Sequence, residues 1–578
     1  MTAFVAGRGL TRGLAFDSAP ERVLVATALG VAAIGHGLFL MALAGLLAPL
    51  PVGVLFVCVH LLCRSAWRDL WGQAREILGE LPPARAAVLA LMAAFVFSPL
   101  LLLPLYPPTS FDSTLYHLPY AKAFAATGGV PFLASLRFPV FPQLMELLFS
   151  GMLLLADDVA AQSLQTLVTL LTAGLVFVWG KEAFGRTAGW LGAATYLGNP
   201  IVAYLAGTAY VDPGVSLFAT AALFAVWRWQ RSRERAWLTL AAVFASSAAA
   251  TKYLGLFFVA AIGTIVLLTP APRARWRNVL RFTAVAATIL IPWYGRILLH
   301  TGNPLFPYFP TLFGSSAWVH AHTGLKAVSP LSILTLPWDL VFRRETFNWQ
   351  PPVSPIYLVA LPFSLFAAVR DERVRRMLLL ALAYALFALS LPRDPRYFLP
   401  ILPLVSLAAG AGLARLPLNR RTLFAGTVSV LLLPGWFYVV WQIRRMGALP
   451  VTALQRNEFL SRRLPAYPAI RYMNRTRGRD YTMYAFHAEN MVYFAEGRFL
   501  GDWFGPASFE KVLTAGSTPE ALHSKLRALG VDYLLVVEER APPLPLDSPQ
   551  FTKRFRIVYS DPHARVFALA GPRLPGGV

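Results

Sequence analysis

Apolar residues in this chain fall into long runs, not into the period of an amphipathic helix or a half-buried strand. A bilayer-crossing helix needs about 20 mostly apolar residues, and about thirteen runs approach that length. They are Val23–Ala44, Leu50–Cys63, Ala86–Leu103, Val159–Trp179, Ala188–Leu205, Gly214–Trp229, Ala236–Ala250, Tyr253–Leu268, Val279–Leu299, Val353–Val369, Met377–Leu391, Phe398–Leu413 and Thr422–Trp441. The first has Arg8 and Arg12 before it, is too long for a signal-peptide core and lacks a clear cleavage site, so it reads as a retained span. Two longer, partly polar segments interrupt the series at 105–158 and 300–352. After Trp441 the period changes. Tyr481–Phe486 and Val531–Val537 read as buried strands, Thr518–Leu529 as a helix, and Arg554–Leu569 as a hairpin around Ser560-Asp561-Pro562.

The basic residues between the runs assign sides. Arg64/Arg68/Arg75/Arg85, Lys181/Arg186, Arg228/Arg231/Arg233/Arg235, Arg273/Arg275/Arg277/Arg281, Arg370/Arg373/Arg375/Arg376 and Arg415/Arg420/Arg421 occupy alternate gaps. Short cytoplasmic loops are enriched in Lys and Arg. An N-terminus in the cytoplasm puts every one of these clusters there. This parity requires Phe141–Leu155 to be an interfacial helix and not a span, which its Pro139/Pro142 start, Glu146 and Asp157-Asp158 end support. It places 105–158, 300–352 and the C-terminal α/β module outside. The expected fold is a polytopic α-helical membrane protein with a small extracytoplasmic α/β domain. Residues 1–83 form extra leading helices with a cytoplasmic loop, 84–441 a transmembrane core, and 442–578 the outer domain.

Composition agrees. Of 578 residues 56% are hydrophobic and 14% charged, where soluble domains carry about 25% charged residues. Mean hydropathy is +0.54. A soluble enzyme, a disordered chain and a disulfide scaffold are excluded. The net charge of +23 would suggest nucleic acid in a soluble protein, but here topology accounts for it and no nucleic-acid partner is expected. The two cysteines, Cys58 and Cys63, share one apolar run and offer neither a disulfide framework nor a Cys-based metal site.

Carboxylates near a bilayer are costly, so their positions inform. Asp112 lies in Phe111-Asp112-Ser113-Thr114-Leu115-Tyr116-His117, just past a span end. A helix starting at Ser110 or Asp112 puts Tyr116 one turn on, on the same face. Asp112 could equally be a helix N-cap. Asp212, in Tyr210-Val211-Asp212-Pro213, admits the same two readings. Lys252 occupies a very short outer turn, where it snorkels or meets an anion. Arg393-Asp394-Pro395-Arg396-Tyr397 forms another outer turn, and its cations sit on the side that the topology rule leaves unexplained. His117 could orient Asp112 or a donor, or lie on the surface. His320-x-His322 could bind a metal. Trp318, Trp338 and Trp349 fit an interfacial belt or could stack on sugar. Isolated acids and cations at one membrane level suit transfer from a lipid-linked phosphate donor. The acid takes a proton from the acceptor hydroxyl, and the cations stabilise charge on the departing phosphate.

The order of Phe111–Tyr120, Arg137–Leu148, Gly180–Arg186, Tyr210–Gly214, Thr251-Lys252 and Arg396–Pro400 resembles the GT-C glycosyltransferases. Within them it is most similar to the bacterial branch of aminoarabinose transferase and protein O-mannosyltransferase, over roughly Ala84–Trp441. The turn Gly180-Lys181-Glu182-Ala183-Phe184-Gly185-Arg186 matches that family's Gly-basic-x-x-Phe-Gly-Arg turn. The resemblance implies a polyprenyl-phosphate sugar donor, inversion at the anomeric centre and Asp112 as catalytic base. It also implies that Asp212 supports the acceptor or the base, and that Lys252 and Arg396 face the donor phosphate. Tyr116, His117, Arg393 and Tyr397 complete the expected substrate contacts. Where the family often has Asp-Glu, this chain has Asp112-Ser113, which weakens a metal site; a divalent cation stays possible and no other cofactor is expected.

The resulting expectation is an inner-membrane glycosyltransferase with its N-terminus cytoplasmic. It would act at the periplasmic or exterior face on a lipid, glycan or protein acceptor of the envelope, among membrane lipids. The rivals are a transporter or flippase of lipid-linked sugars and a non-catalytic subunit of glycan assembly. A transporter places charges near the midplane within broken helices, often in two matching halves, and neither feature is seen.

Overall fold

The computed structural model describes residues 1–69, 72, 91, 94, 96–270, 274–314, 326–418 and 420–571. His320-x-His322, Trp318, Arg75, Arg85, Arg273 and part of Ala86–Leu103 (86–90, 92, 93 and 95) lie outside the described residues. The chain is largely helical, with several apolar helices and a small C-terminal mixed β-sheet. Among the described residues, five helices are long and apolar enough to cross a membrane: Ala19–Leu43, Asp158–Phe184, Arg275–Thr301, Pro395–Leu413 (3-10 in its first turns) and Arg421–Met446.

The helix starts follow from local chemistry. Ser18 accepts a hydrogen bond from the Glu21 amide, and Pro20 sits in the first turn of Ala19–Leu43. Asp157 accepts from the Ala160 amide and so caps Asp158–Phe184. Between that helix and Arg186–Leu197 the chain reverses at Gly185, whose φ of +98° disfavours any side chain. This explains the glycine of the Gly-Arg turn. Helix Thr2–Leu10 crosses Ala19–Leu43 at Gly7 and Gly30, where an added Cβ would lie 1.7 Å from the Ala26 carbonyl oxygen and 1.6 Å from that of Ala3. Small residues permit such backbone contact between helices.

Helix Leu144–Leu155 packs inside the molecule. Its residues Leu144–Gly151 are buried, against the helices Ala19–Leu43, Leu118–Thr127 and Asp158–Phe184. The basic gap at Arg228 is not simply a solvated loop. Arg228 is buried and pairs with Asp17, Glu21 and Glu182. These three acids are the one described group with metal-ligand spacing, and the guanidinium already contacts all of them.

Five strands form the C-terminal sheet: β1 (Thr482–Phe486), β2 (Arg498–Leu500), β3 (Tyr533–Val537), β4 (Phe555–Ser560) and β5 (Ala564–Leu569). Their order is β2-β1-β3-β5-β4. β1 pairs parallel with β2 and β3, while β5 pairs antiparallel with β3 and β4. β1 and β3 are buried on both faces, as strands covered by helices on each side are. The strands at 482–486 and 533–537, the helix Pro519–Ala528 and the hairpin at 555–569 agree with the sequence pattern. The short β2 and the helices Ala453–Arg463 and Tyr467–Arg477 were not anticipated.

This sheet region rests on segment 105–158. Arg456 and the Tyr493 hydroxyl donate to Asp158. Lys122 donates to the carbonyls of Tyr493 and Ala495. The Tyr493 amide donates to the Thr114 carbonyl, inside the Asp112 motif.

Candidate functional site around Asp112

Pro107 and Pro108 keep the chain extended after Tyr106, and a helical turn then begins at Phe111. Ser113–His117 widen into a π-helical turn before Leu118–Thr127 continues as α-helix. Single π turns inside helices recur at functional sites. Here the turn brings the Tyr116 hydroxyl to Asp112, donating to Oδ2 at 2.9 Å. The Asp112 side chain does not cap the helix. It accepts from Arg396 Nη1 at 2.5 Å instead.

Arg396 is placed by its own turn. Asp394 caps the 3-10 helix Pro395–Ile401 by accepting from the Arg396 amide, and its other oxygen accepts from Arg396 Nε at 2.8 Å. The guanidinium lies over the rings of Tyr210, 4.9 Å from its centroid, and Tyr397, at 5.8 Å. The Tyr210 hydroxyl in turn accepts from the Asp112 amide. Asp112, Asp394 and Arg396 are all buried. Burial alone would raise the Asp112 carboxyl, but the positive charge of Arg396, with a smaller contribution from Arg137, outweighs it and holds the group down at about 2.

Asp212 likewise makes no side-chain cap. It is fully buried and accepts from Lys252 Nζ at 2.9 Å. Lys252 also sits over the Tyr397 ring, 5.0 Å from its centroid. Tyr397 is therefore shared by the Arg396–Asp112 and Lys252–Asp212 pairs. Arg393 is exposed, and no described contact ties it to the cluster.

His117 is buried, not on the surface, because its Nδ1 lies 2.7 Å from Glu146 Oε1 on the enclosed helix Leu144–Leu155. Burial pushes Glu146 up to about 8 and His117 well down. Both shifts favour the uncharged forms of this hydrogen-bonded pair. His117 Nε2 has no partner among the described residues. Glu146 was legible only as a mark of an interfacial helix. The available signal was its isolation within Leu144-Met145-Glu146-Leu147-Leu148-Phe149, since a lone acid in an apolar helix needs a partner.

Beside these pairs opens a recess of about 680 Å³. Tyr116, His117, Lys252 and Tyr397 supply its polar groups. Leu256, Phe257, Phe387, Leu391 and the 305–310 turn supply an apolar wall. Asp112 is one hydrogen bond away, through Tyr116. On the far side, Arg137 joins the motif to the sheet region through Asp502, with Nη2 at 2.6 Å, and lies over the rings of Phe111 and Phe504.

Residues 1–322 match a family model described as a domain of unknown function, DUF8201. The chain belongs to the DUF8201 family. A second model, described as SF2091/S2213, matches residues 455–568. An uncharacterized protein of Shigella flexneri, SF2093/S2215, is 33% identical over 130 residues, or 22% of this chain. The match spans 65% of that relative's length. Solved structures share the fold at low identity. ArnT from Cupriavidus metallidurans in the apo state has a TM-score of 0.55 at 16% identity, covering 85% of this chain and 100% of that one. The same protein bound to undecaprenyl phosphate gives 0.55 at 17%, covering 84% and 99%. An oligosaccharyltransferase from Archaeoglobus fulgidus, complexed with Zn and sulfate, gives 0.52 at 12%, covering 83% and 72%. The chain therefore shares the overall fold of ArnT and of the archaeal oligosaccharyltransferase.

Proposed function

We propose that this protein is an inverting membrane glycosyltransferase that moves a sugar from a polyprenyl-phosphate donor to an envelope lipid, glycan or protein. The observation that carries the reading is the junction of an apolar recess with two acid–cation pairs, Lys252–Asp212 partly open at its lining and Arg396–Asp112 buried behind Tyr116 and Tyr397. A lipid-linked phosphate has the matching parts: an anion for Lys252 and Arg396, and a chain for the wall of Phe257, Phe387 and Leu391. A GT-C-like neighbour in fold was solved with undecaprenyl phosphate, which supports the same ligand class here.

Asp112 is the general base of this reading. In the resting protein Arg396 suppresses its basicity. A donor phosphate drawing on the Arg396 and Lys252 charges returns proton affinity to Asp112 when it is needed. The acceptor hydroxyl then gives its proton to Asp112 as its oxygen bonds to the anomeric carbon. The bond from that carbon to the phosphate oxygen breaks on the opposite face, and polyprenyl phosphate departs against the cations. Tyr116 aims the carboxylate, and His117, held by Glu146, lines the donor recess.

In this reading the chain crosses the inner membrane about thirteen times, with a cytoplasmic N-terminus. Residues 84–441 form the catalytic core, and 442–578 an outer domain beside the site. The test is purified protein in proteoliposomes with undecaprenyl-phosphate sugars and envelope extract, followed by mass spectrometry of lipids and glycans. Wild type consumes donor and releases undecaprenyl phosphate, whereas a folded Asp112→Asn variant does not. Normal turnover in that variant refutes the assignment of the base. Donor that crosses the bilayer unconsumed identifies a transporter instead.

A further inference from the structure

Arg296 lies in the last two turns of helix Arg275–Thr301 and is only 7% exposed. Its one described hydrogen bond runs from Nη2 to the neutral amide oxygen of Gln143, at 2.8 Å. Its Nε and the Gln143 amide nitrogen are buried without a partner among the described residues. No described carboxylate comes within 4.0 Å of it. The other buried arginines differ. Arg228 holds three acids and Arg396 two, while Arg527 donates to the carbonyls of Leu569, Ala570 and Gly571. Arginine stays protonated in proteins, and a buried, unpaired charge is strongly unfavourable. The site is built for an anion.

The surroundings say which kind. Arg296 and His300, one turn apart on the same helix face, line a shallow recess of about 410 Å³ with Thr127 and Gly129. Val130, Pro131 and the end of the apolar helix Ala19–Leu43, at Ala42 and Leu43, complete its edge. Leu40, Leu43 and Leu299 nearby are exposed and apolar. A phosphate would meet the guanidinium fork, which suits it geometrically, while acyl chains would run down those leucines. The recess is separate from the one near Asp112. Tyr253 and Phe306, which line the first recess, form a wall with Ile297, the residue after Arg296.

We propose that Arg296, with His300 and Gln143, is a second anion site, binding the phosphate of a membrane lipid headgroup. The site stands whether or not the protein transfers sugar. Full-length protein in maltoside micelles is melted with phosphatidic acid, with diacylglycerol of the same chains, or with inorganic phosphate. Phosphatidic acid raises Tm and diacylglycerol does not. An equal rise with inorganic phosphate alone makes free phosphate the source, and a rise only with the lipid makes it the headgroup. Native mass spectrometry shows Arg296→Met binding phosphatidic acid about tenfold or more weakly, as loss of a charged hydrogen bond predicts. Arg296→Lys retains most of the affinity. Where Arg296→Met does not fold, exposed His300→Ala carries the test, with a smaller loss. No Tm rise with either phosphate, or affinity in His300→Ala and Arg296→Met equal to wild type, overturns the proposal. Asp112→Asn keeps the lipid response, so failure of the transferase reading is told apart from failure of this site.

Discussion

Arg396→Gln tests the electrostatics of the site directly. Gln can still donate to Asp394 from about the place of Nε, but it brings no charge and stops short of Asp112, which Nη1 reaches. In wild type the Asp112 carboxyl sits at about 2, against an ordinary 3.8. That difference corresponds to about 2 kcal/mol favouring the folded state. The folded value lies below the unfolded one, so the contribution is complete above about pH 4 and is lost as pH falls toward 2. Without Arg396 the largest opposing charge is gone and burial prevails, so the folded value rises above 3.8. The sign then reverses. The unfolded chain loses its proton first, and stability falls as pH rises above about 4. Breaking a buried pair adds a pH-independent loss of about 3–5 kcal/mol. Denaturant unfolding in detergent from pH 3 to pH 8 reads both effects. The acid limb of the transfer rate reads the same group, moving up by about 1–3 units. An unchanged stability slope together with an unmoved acid limb would show that Arg396 does not govern Asp112.

Lys252→Met leaves Asp212 buried and unpaired and costs about 3–5 kcal/mol, whereas Lys252→Met/Asp212→Asn recovers most of this; unfolding of the three proteins decides it, and donor binding stays weak in both variants. Glu146→Gln removes an acid whose folded value is raised to about 8. Wild type therefore loses stability relative to this variant as pH climbs from about 4.5 to 8, and parallel pH–stability curves would contradict the protonated state assigned to Glu146. Arg137→Ala breaks the bidentate contact with Asp502 and speeds amide exchange in Phe111–His117, with little effect in the distant hairpin β4–β5; uniform protection would refute that coupling.

How far the chain could be read depended on the range of the interaction. Apolar runs report a local preference, and the helices Ala19–Leu43, Arg275–Thr301 and Arg421–Met446 lie over runs read as spans. The Asp112–Tyr116 contact spans one helical turn and was legible for the same reason. The partners of those groups were not. Asp212 and Lys252 are 40 positions apart, His117 and Glu146 are 29, and Asp112 and Arg396 are 284. Each looked like a separate cap, snorkelling cation or surface group. Only the packing of helices shows that they are partners.

The pairing also changes what a lone charge means in this protein. Cations on the supposed outer side were conspicuous because topology did not require them. The structure supplies a reason for Arg396 and Lys252, since each answers a buried acid. It supplies none for Arg296, which the sequence hid among apolar neighbours in Tyr294-Gly295-Arg296-Ile297-Leu298. A paired cation near a recess can be held ready until a ligand anion competes for it, and its removal must expose the acid it neutralised. An unpaired buried cation carries no such internal debt, and its removal should stabilise the protein unless an external anion completes it. The stability of Arg296→Met in lipid-free maltoside, set against that of Arg396→Gln, therefore separates the two situations: a gain or no change for the first, and a loss for the second.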